Sequence, residues 1–347
     1  MESDNYGQLN EVPNYIEERD IFGLIIPKNK SLLEQLKTQT MVVADSGDFE
    51  SMCKYSPTDA TTNPSLIYKA CQDTKYLPLL EEAIVYAKSK SPHKNTQLNI
   101  AIDRLYIAFG LEILKIVPGR VSTEVDPRLS SDTEGTVSKA KELIGLYEEA
   151  GIDRERILIK IAATWEGIKV AERLTKEGIH CNLTLLFSMQ QAIACAEAGV
   201  QLISPFVGRI LDWHLKNNRD KQILPGDEPG VLLVKSIYNY FKKYRYKTQV
   251  MAASFRNIGE IIELSGCDLM TISPELLGEL KQREGFLERK LIFEDTKQMA
   301  IKRIEMDEKK FREMMNQDAM ATEKLAEGIR KFTEDLVKLE SIILQKL

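Results

Sequence analysis

Three histidines in 347 residues leave little material for a histidine-based metal centre, and His93, His180 and His214 stand far apart. The five cysteines (Cys53, Cys71, Cys181, Cys195 and Cys267) form no CxxC pair and no Cys/His ligand spacing. An odd, unclustered set of this kind predicts reduced thiols in a cytoplasmic protein rather than a disulfide framework. No apolar run approaches the ~18 residues that a membrane-spanning helix needs. The short run Phe22–Ile26 is preceded by Glu17, Glu18 and Asp20, where a secretion signal requires positive charge. Positive charge is also in deficit overall, at a net −5. That excludes nucleic acid and anionic membrane as main partners, but it leaves room for a local basic pocket.

What is present is a core-rich chain, 43% hydrophobic and 29% charged. Its length suits one barrel of about 250 residues with additions, or two ordinary domains. Residues 1–30 are polar, acidic and weakly patterned, and are predicted to be a flexible N-terminal extension. From Ser31, a helix N-cap with Glu34 at the capping-box position, the chain is expected to form a single domain to residue 347. Strands and helices then alternate. Strands are predicted at 40–45, 60–64, 122–126, 156–164, 180–187, 202–209, 248–256 and 268–274, with helices between them and a polar loop of about fifteen residues after Trp213. Eight such units predict an α/β fold, a closed (β/α)8 TIM barrel with additional C-terminal helices. An open doubly wound sheet is the alternative, but no GxGxxG or P-loop follows any strand. From about residue 292 the chain reads as helical, and the charge run at 306–313 reads as a solvated face.

The fourth strand, Arg156–Thr164 (RILIKIAAT), carries one lysine in an otherwise apolar run. A lysine there must reach solvent, pair with a carboxylate, or give up its proton, and an unprotonated amine is the nucleophile that a Schiff base needs. On this run alone, a strand-end lysine reaching water or an ion pair is the simpler reading. Active sites of barrels lie at the C-terminal ends of the strands. The polar residues placed there are Asp45, Thr61, Asn63, Glu124, Lys160, Asn182, Thr184, Ser204, Arg209, Ser254 and Arg256. Singly, each has an ordinary structural use: Asn and Ser cap helices, and Thr bonds its neighbours. Jointly they aim two acids, one lysine and two arginines at one mouth. Asp45 and Glu124 can share the proton transfers of imine chemistry, with Thr184 holding a water. Arg209 and Arg256 with Ser254 make a phosphate clamp, and Asn63, Asn182 and Ser204 suit sugar hydroxyls.

Seven segments in order resemble transaldolases: 42–48 (VVADSGD), 59–65 (DATTNPS), 118–126 (PGRVSTEVD), 157–165 (ILIKIAATW), 178–187 (GIHCNLTLLF), 203–213 (ISPFVGRILDW) and 251–257 (MAASFRN). The late segment 318–332, with its KLAEGIRKF, extends the similarity, which spans about residues 31–347. The resemblance implies a Schiff-base enzyme of the pentose phosphate pathway that needs no cofactor or metal. It would move a dihydroxyacetone unit between sugar phosphates, from sedoheptulose 7-phosphate or fructose 6-phosphate to glyceraldehyde 3-phosphate or erythrose 4-phosphate. It implies Lys160 as the imine lysine, Asp45 and Glu124 as acid and base, and Thr184 as holder of water. Thr61, Asn63, Asn182, Ser204, Phe206, Arg209, Ser254 and Arg256 would bind the substrate, and the C-terminal helices would build a homodimer. Ser46, Ala163 and the loop 214–228 depart from the family pattern. An aldolase that releases its unit to water is the nearest rival reading, and a catalytically silent binding barrel is a rival of another class.

Overall fold

The structure is a computed structural model that describes residues 30–217 and 223–347. The expected extension at 1–30 therefore lies, but for Lys30, outside the described residues. Eight parallel strands close into a barrel in simple sequence order. They are β1 Met41–Asp45, β2 Asp59–Thr61, β3 Val121–Glu124, β4 Ile157–Ala162, β5 Cys181–Leu186, β6 Leu202–Pro205, β7 Gln249–Ala252 and β8 Leu269–Ile272. β8 pairs back onto β1, so no strand edge remains open. This is the predicted TIM barrel.

The barrel is built in layers because alternate side chains of each strand face the interior. The N-terminal end is polar. Arg120 pairs with Asp59 at 2.8 Å and donates across the barrel to the Gln249 side chain at 3.2 Å. Above it lies an apolar plug of Val43, Leu158, Leu202, Met251 and Leu269. Two residues further along the same strands come Asp45, Lys160, Ser204 and Thr271. The polar side chains at the C-terminal end therefore stand on an apolar floor.

Outside the strands, the helices bury their apolar stripes on the barrel. Between β2 and β3 the chain inserts the antiparallel helices Leu77–Lys90 and Lys94–Ile116, which share a second core with Leu336, Leu339 and Ile343 of the last helix. That last helix, Ala319–Lys346, buries Ala321, Gly328, Phe332, Leu336, Leu339 and Ile343 along one face. The spacing follows the helical repeat, and this face also contacts β5 at the barrel mouth. The capping box at Ser31 and Glu34 forms as predicted.

Four sequence expectations are corrected. β6 stops at Pro205 and a helix, Val207–Asn217, begins at once, so Arg209 stands in a first helical turn rather than on a strand. β7 stops at Ala252, because the carbonyls of Ala253 and Ser254 accept the amides of Val207 and Gly208 at 2.9 and 3.0 Å and Ser254 takes a left-handed φ of 62°. The stretch from 292 is not continuously helical. Beyond the short helix Phe293–Thr296, the backbone from Lys297 to Met306 is irregular and wraps the barrel, held where the Tyr244 and Tyr240 hydroxyls donate to the carbonyls of Ile301 and Ile304. The chain that follows Trp213 is helical as far as Asn217, so the polar loop is shorter than expected.

Thr123 fixes the strand that carries Glu124. Its hydroxyl lies 2.6 Å from that of the buried Tyr147. A Cβ at Gly110 would sit 1.8 Å from the same tyrosine oxygen. Gly110→Ala is expected to cost ~1–3 kcal/mol by overpacking, read as a lower urea midpoint at unchanged m-value. An unchanged midpoint would show that the helix and Tyr147 move apart freely.

Candidate active site

Parallel register sets the site's first element. Glu124 of β3 lies opposite Lys160 of β4, which in turn lies opposite Asn182 of β5. Lys160 is only 4% exposed. Its Nζ makes an ion pair with Glu124 Oε2 at 3.2 Å and donates to the Thr62 carbonyl at 3.1 Å. A buried ion pair is poor evidence for stability, since desolving two charges costs as much as their attraction returns. Its presence at a barrel mouth therefore points to function. Burial raises the Glu124 carboxyl above the usual range, with Lys160 opposing. Asp45 at the end of β1 is raised by burial as well, while Lys160 and Arg209 pull it down.

These groups line or adjoin an open cavity at the barrel mouth. Asp45, Thr61, Asn63, Lys160, Thr184, Ser204, Phe206, Arg209 and Ser254 all line it, so nine of the predicted residues converge there. Thr184 and Thr271 direct hydroxyls into this region, and neither oxygen has a hydrogen-bond partner among the described residues. A buried hydroxyl without a partner costs free energy unless a ligand or water meets it. Asn63 caps the helix Pro64–Ala70, its Oδ1 accepting from Leu66 N at 2.9 Å, and so is held at the rim by a structural bond.

Asn182 lies behind the lining, next to Ser204. It is fully buried and does not line the cavity. Its Nδ2 donates to Ser122 Oγ at 3.1 Å and its Oδ1 accepts from Ser204 Oγ at 2.7 Å. The three form a chain across β3, β5 and β6 that orients the Ser204 hydroxyl. Ser46 turns away to accept from the Asp48 amide at 2.8 Å.

The far end of the cavity is cationic. Arg209 stacks between the rings of Phe206 and Phe332, at 4.7 and 5.5 Å from the centroids. Burial and the neighbouring Arg256 charge lower its pKa, with Asp45 and Glu124 opposing. Arg256 lies at the rim rather than in the lining. It holds Asp212 through two bonds, Nη2 to Oδ2 at 2.7 Å and Nε to Oδ1 at 3.1 Å, and its Nη1 reaches the Ser254 carbonyl at 3.3 Å. Gly208 makes this approach possible, since a Cβ there would meet the Ser254 carbonyl at 2.4 Å. Beneath Arg256, its amide donates to Glu260 at 2.6 Å.

Sequence reasoning missed Phe332 and Thr271 as lining residues, along with the Thr62 carbonyl. Phe332 belongs to the quoted KLAEGIRKF segment, but an aromatic in an amphipathic helix more than 100 residues after the nearest site strand but two reads as packing. Thr271, inside the run LMTI of β8, carried a readable signal, as a polar residue in a buried strand.

A (β/α)8 barrel with a buried lysine, two carboxyls and two arginines at its C-terminal mouth defines a class: an enzyme acting on small, anionic substrates. The comparisons narrow the class. A family model described as transaldolase/fructose-6-phosphate aldolase matches residues 42–343, and the chain belongs to that family. It is 56% identical over 314 residues to a transaldolase of Protochlamydia amoebophila (strain UWE25), covering 90% of this chain and 97% of that one. A transaldolase of Histophilus somni (strain 129Pt) is 59% identical over 90% of this chain and 98% of its own. A protein named probable transaldolase from Drosophila melanogaster is 57% identical over 90% of this chain and 95% of its own.

The support under Arg256 is sensitive to pH. Burial and the adjoining Glu228 carboxyl push Glu260 up to about 8, against the pull of the Arg256 amide. The folded state therefore holds a proton that the unfolded chain releases. Stability from this group is full in acid and is lost as pH rises through the ordinary glutamate range to about 8, at up to ~1.4 kcal/mol per pH unit. Thermal midpoints should fall across that window in the native chain and fall less steeply in Glu260→Gln. Equal slopes in both would remove Glu260 from the linkage.

Proposed function

We propose that the enzyme is a transaldolase that carries a dihydroxyacetone unit from a ketose phosphate to an aldose phosphate on Lys160. Sedoheptulose 7-phosphate and glyceraldehyde 3-phosphate would give erythrose 4-phosphate and fructose 6-phosphate. The observation that carries this reading is the buried pair of Lys160 and Glu124 at 3.2 Å, with the lysine lining a cavity that has Arg209 in its wall and Arg256 at its rim.

The chemistry follows from that pair. Glu124, 3.2 Å from the amine, is placed to take its proton and leave a free amine. The amine adds to the ketone carbon. Glu124, through a water held by Thr184, returns the proton to the departing hydroxyl, and water leaves as the iminium forms. Asp45 removes the proton of the adjacent hydroxyl, the carbon–carbon bond breaks, and its electrons are held as the enamine. The aldose leaves, an acceptor aldose takes its place, and the same steps run backwards. Ser204, held by Asn182, and the rim residues Thr61 and Asn63 receive sugar hydroxyls. Arg209, Arg256 and Ser254 receive the phosphate, and Phe206 walls the pocket.

Residues 31–347 act as one domain in this reading. The exposed Val337 and Leu344 on the last helix, at 46% and 42%, suit assembly as a homodimer. The five cysteines are free, and no helix among the described residues is long and apolar enough to cross a membrane, which favours a cytoplasmic enzyme.

One assay tests the roles together: transfer from fructose 6-phosphate to erythrose 4-phosphate in the native chain, Lys160→Met and Arg256→Ala. Lys160→Met is expected to lose kcat by roughly 10³-fold or more. Arg256→Ala should raise KM for phosphorylated sugars well above any change for free dihydroxyacetone. Retained turnover in the lysine variant would overturn the mechanism, and equal KM effects would remove Arg256 from phosphate binding.

A further inference from the structure

The lysine faces a part of the chain that the strands do not supply. The Phe332 ring of the last helix is 2% exposed, and its centroid lies 5.8 Å from Lys160 Nζ and 5.5 Å from Arg209 Cζ. One ring therefore touches both the proposed nucleophile and the proposed phosphate end. Its position is set one helical turn earlier. Gly328 packs against Leu185 so tightly that a Cβ would come within 2.5 Å of the leucine Cδ2. Leu185 itself follows Thr184 with a left-handed φ of 54°, where the pairing of β5 with β6 shifts register. A strained, buried leucine and a glycine at its contact bring the helix down on the mouth, and residue 332 then falls on the same face as 328. Packing alone would be met by an aliphatic residue. A ring face turned to two cations favours charge at the amine and at the same time excludes water from it.

We propose that Phe332 is a specificity-determining residue whose ring, with that of Phe206, covers the Lys160-bound three-carbon intermediate and sets its partition between acceptor aldose and water. The inference rests on the Schiff-base reading above. Two fates compete. In transfer, the nucleophilic carbon of the enamine bonds to the aldehyde carbon of the acceptor, whose oxygen takes up a proton. In hydrolysis, the same carbon takes a proton, water adds to the iminium carbon, and the carbon–nitrogen bond breaks to release dihydroxyacetone and restore the amine. The second fate needs water at the iminium carbon, and the ring occupies the approach from the helix side.

The test is the ratio of dihydroxyacetone released to unit transferred, measured with fructose 6-phosphate and erythrose 4-phosphate in the full chain, in Phe332→Leu and in Phe332→Tyr. Leu opens the cover, and Tyr keeps the ring but brings a hydroxyl to it. Both should raise the ratio by roughly three- to tenfold, the rate equivalent of one lost contact of this kind. A merely structural role would lower transfer and hydrolysis in parallel and leave the ratio unchanged, which would overturn the proposal. Unfolding midpoints identify a variant that has lost its fold, in which case the tyrosine variant, nearly equal in volume, decides. Lys160→Met in the same assay separates the two readings. If it still releases or transfers the unit, the Schiff base itself is refuted; if it is inactive while the ratios stay unchanged, only the role of Phe332 is.

Discussion

A lysine amine and a glutamate carboxyl group, both buried and 3.2 Å apart, are the constraint around which the rest of the molecule is arranged. Neither charge is tolerable alone at that depth. The pair exists because the Glu124–Lys160 register of β3 and β4 sets them side by side, and because the Thr62 carbonyl accepts a further bond from the amine. A proton that can lie on either member is what imine formation demands, since it needs a free amine first and an acid immediately afterwards.

The barrel supports this in three ways. Its apolar plug keeps the layer beneath the pair dry. Its closed hydrogen-bonding ring fixes the spacing of Asp45, Lys160, Thr184 and Ser204, which all stand on strands. The last helix adds a roof that no strand could provide, placed by the contact of Gly328 with Leu185. Two of the four left-handed non-glycine residues among those described, Leu185 and Ser254, lie at the mouth beside the cavity.

Most of this was legible in the sequence, because parallel strands buried on both faces read as apolar runs and a polar residue in such a run stands out. Lys160, Glu124, Thr184 and Ser204 carried that signal. What escaped depends on geometry that local pattern does not encode. Arg209 reads as the end of a strand, yet the chain turns into a helix after Pro205, because the Val207 and Gly208 amides are drawn to the next strand's loop. Asn182 reads as a ligand, and its side chain also links Ser122 to Ser204, a connection that sequence does not show. Phe332 has the spacing of any core aromatic, and only the crossing of its helix over the mouth reveals what it faces. The irregular stretch before that helix is held by tyrosine hydroxyls from another part of the chain, contacts invisible to periodicity.

The most direct measurement is borohydride reduction in the presence of fructose 6-phosphate, followed by peptide mass analysis. A single reduced three-carbon adduct on the peptide containing Lys160, absent without the sugar phosphate, is the expected result. An adduct on another lysine, or none while transfer proceeds, would contradict the assignment of the Lys160–Glu124 pair as the reacting centre.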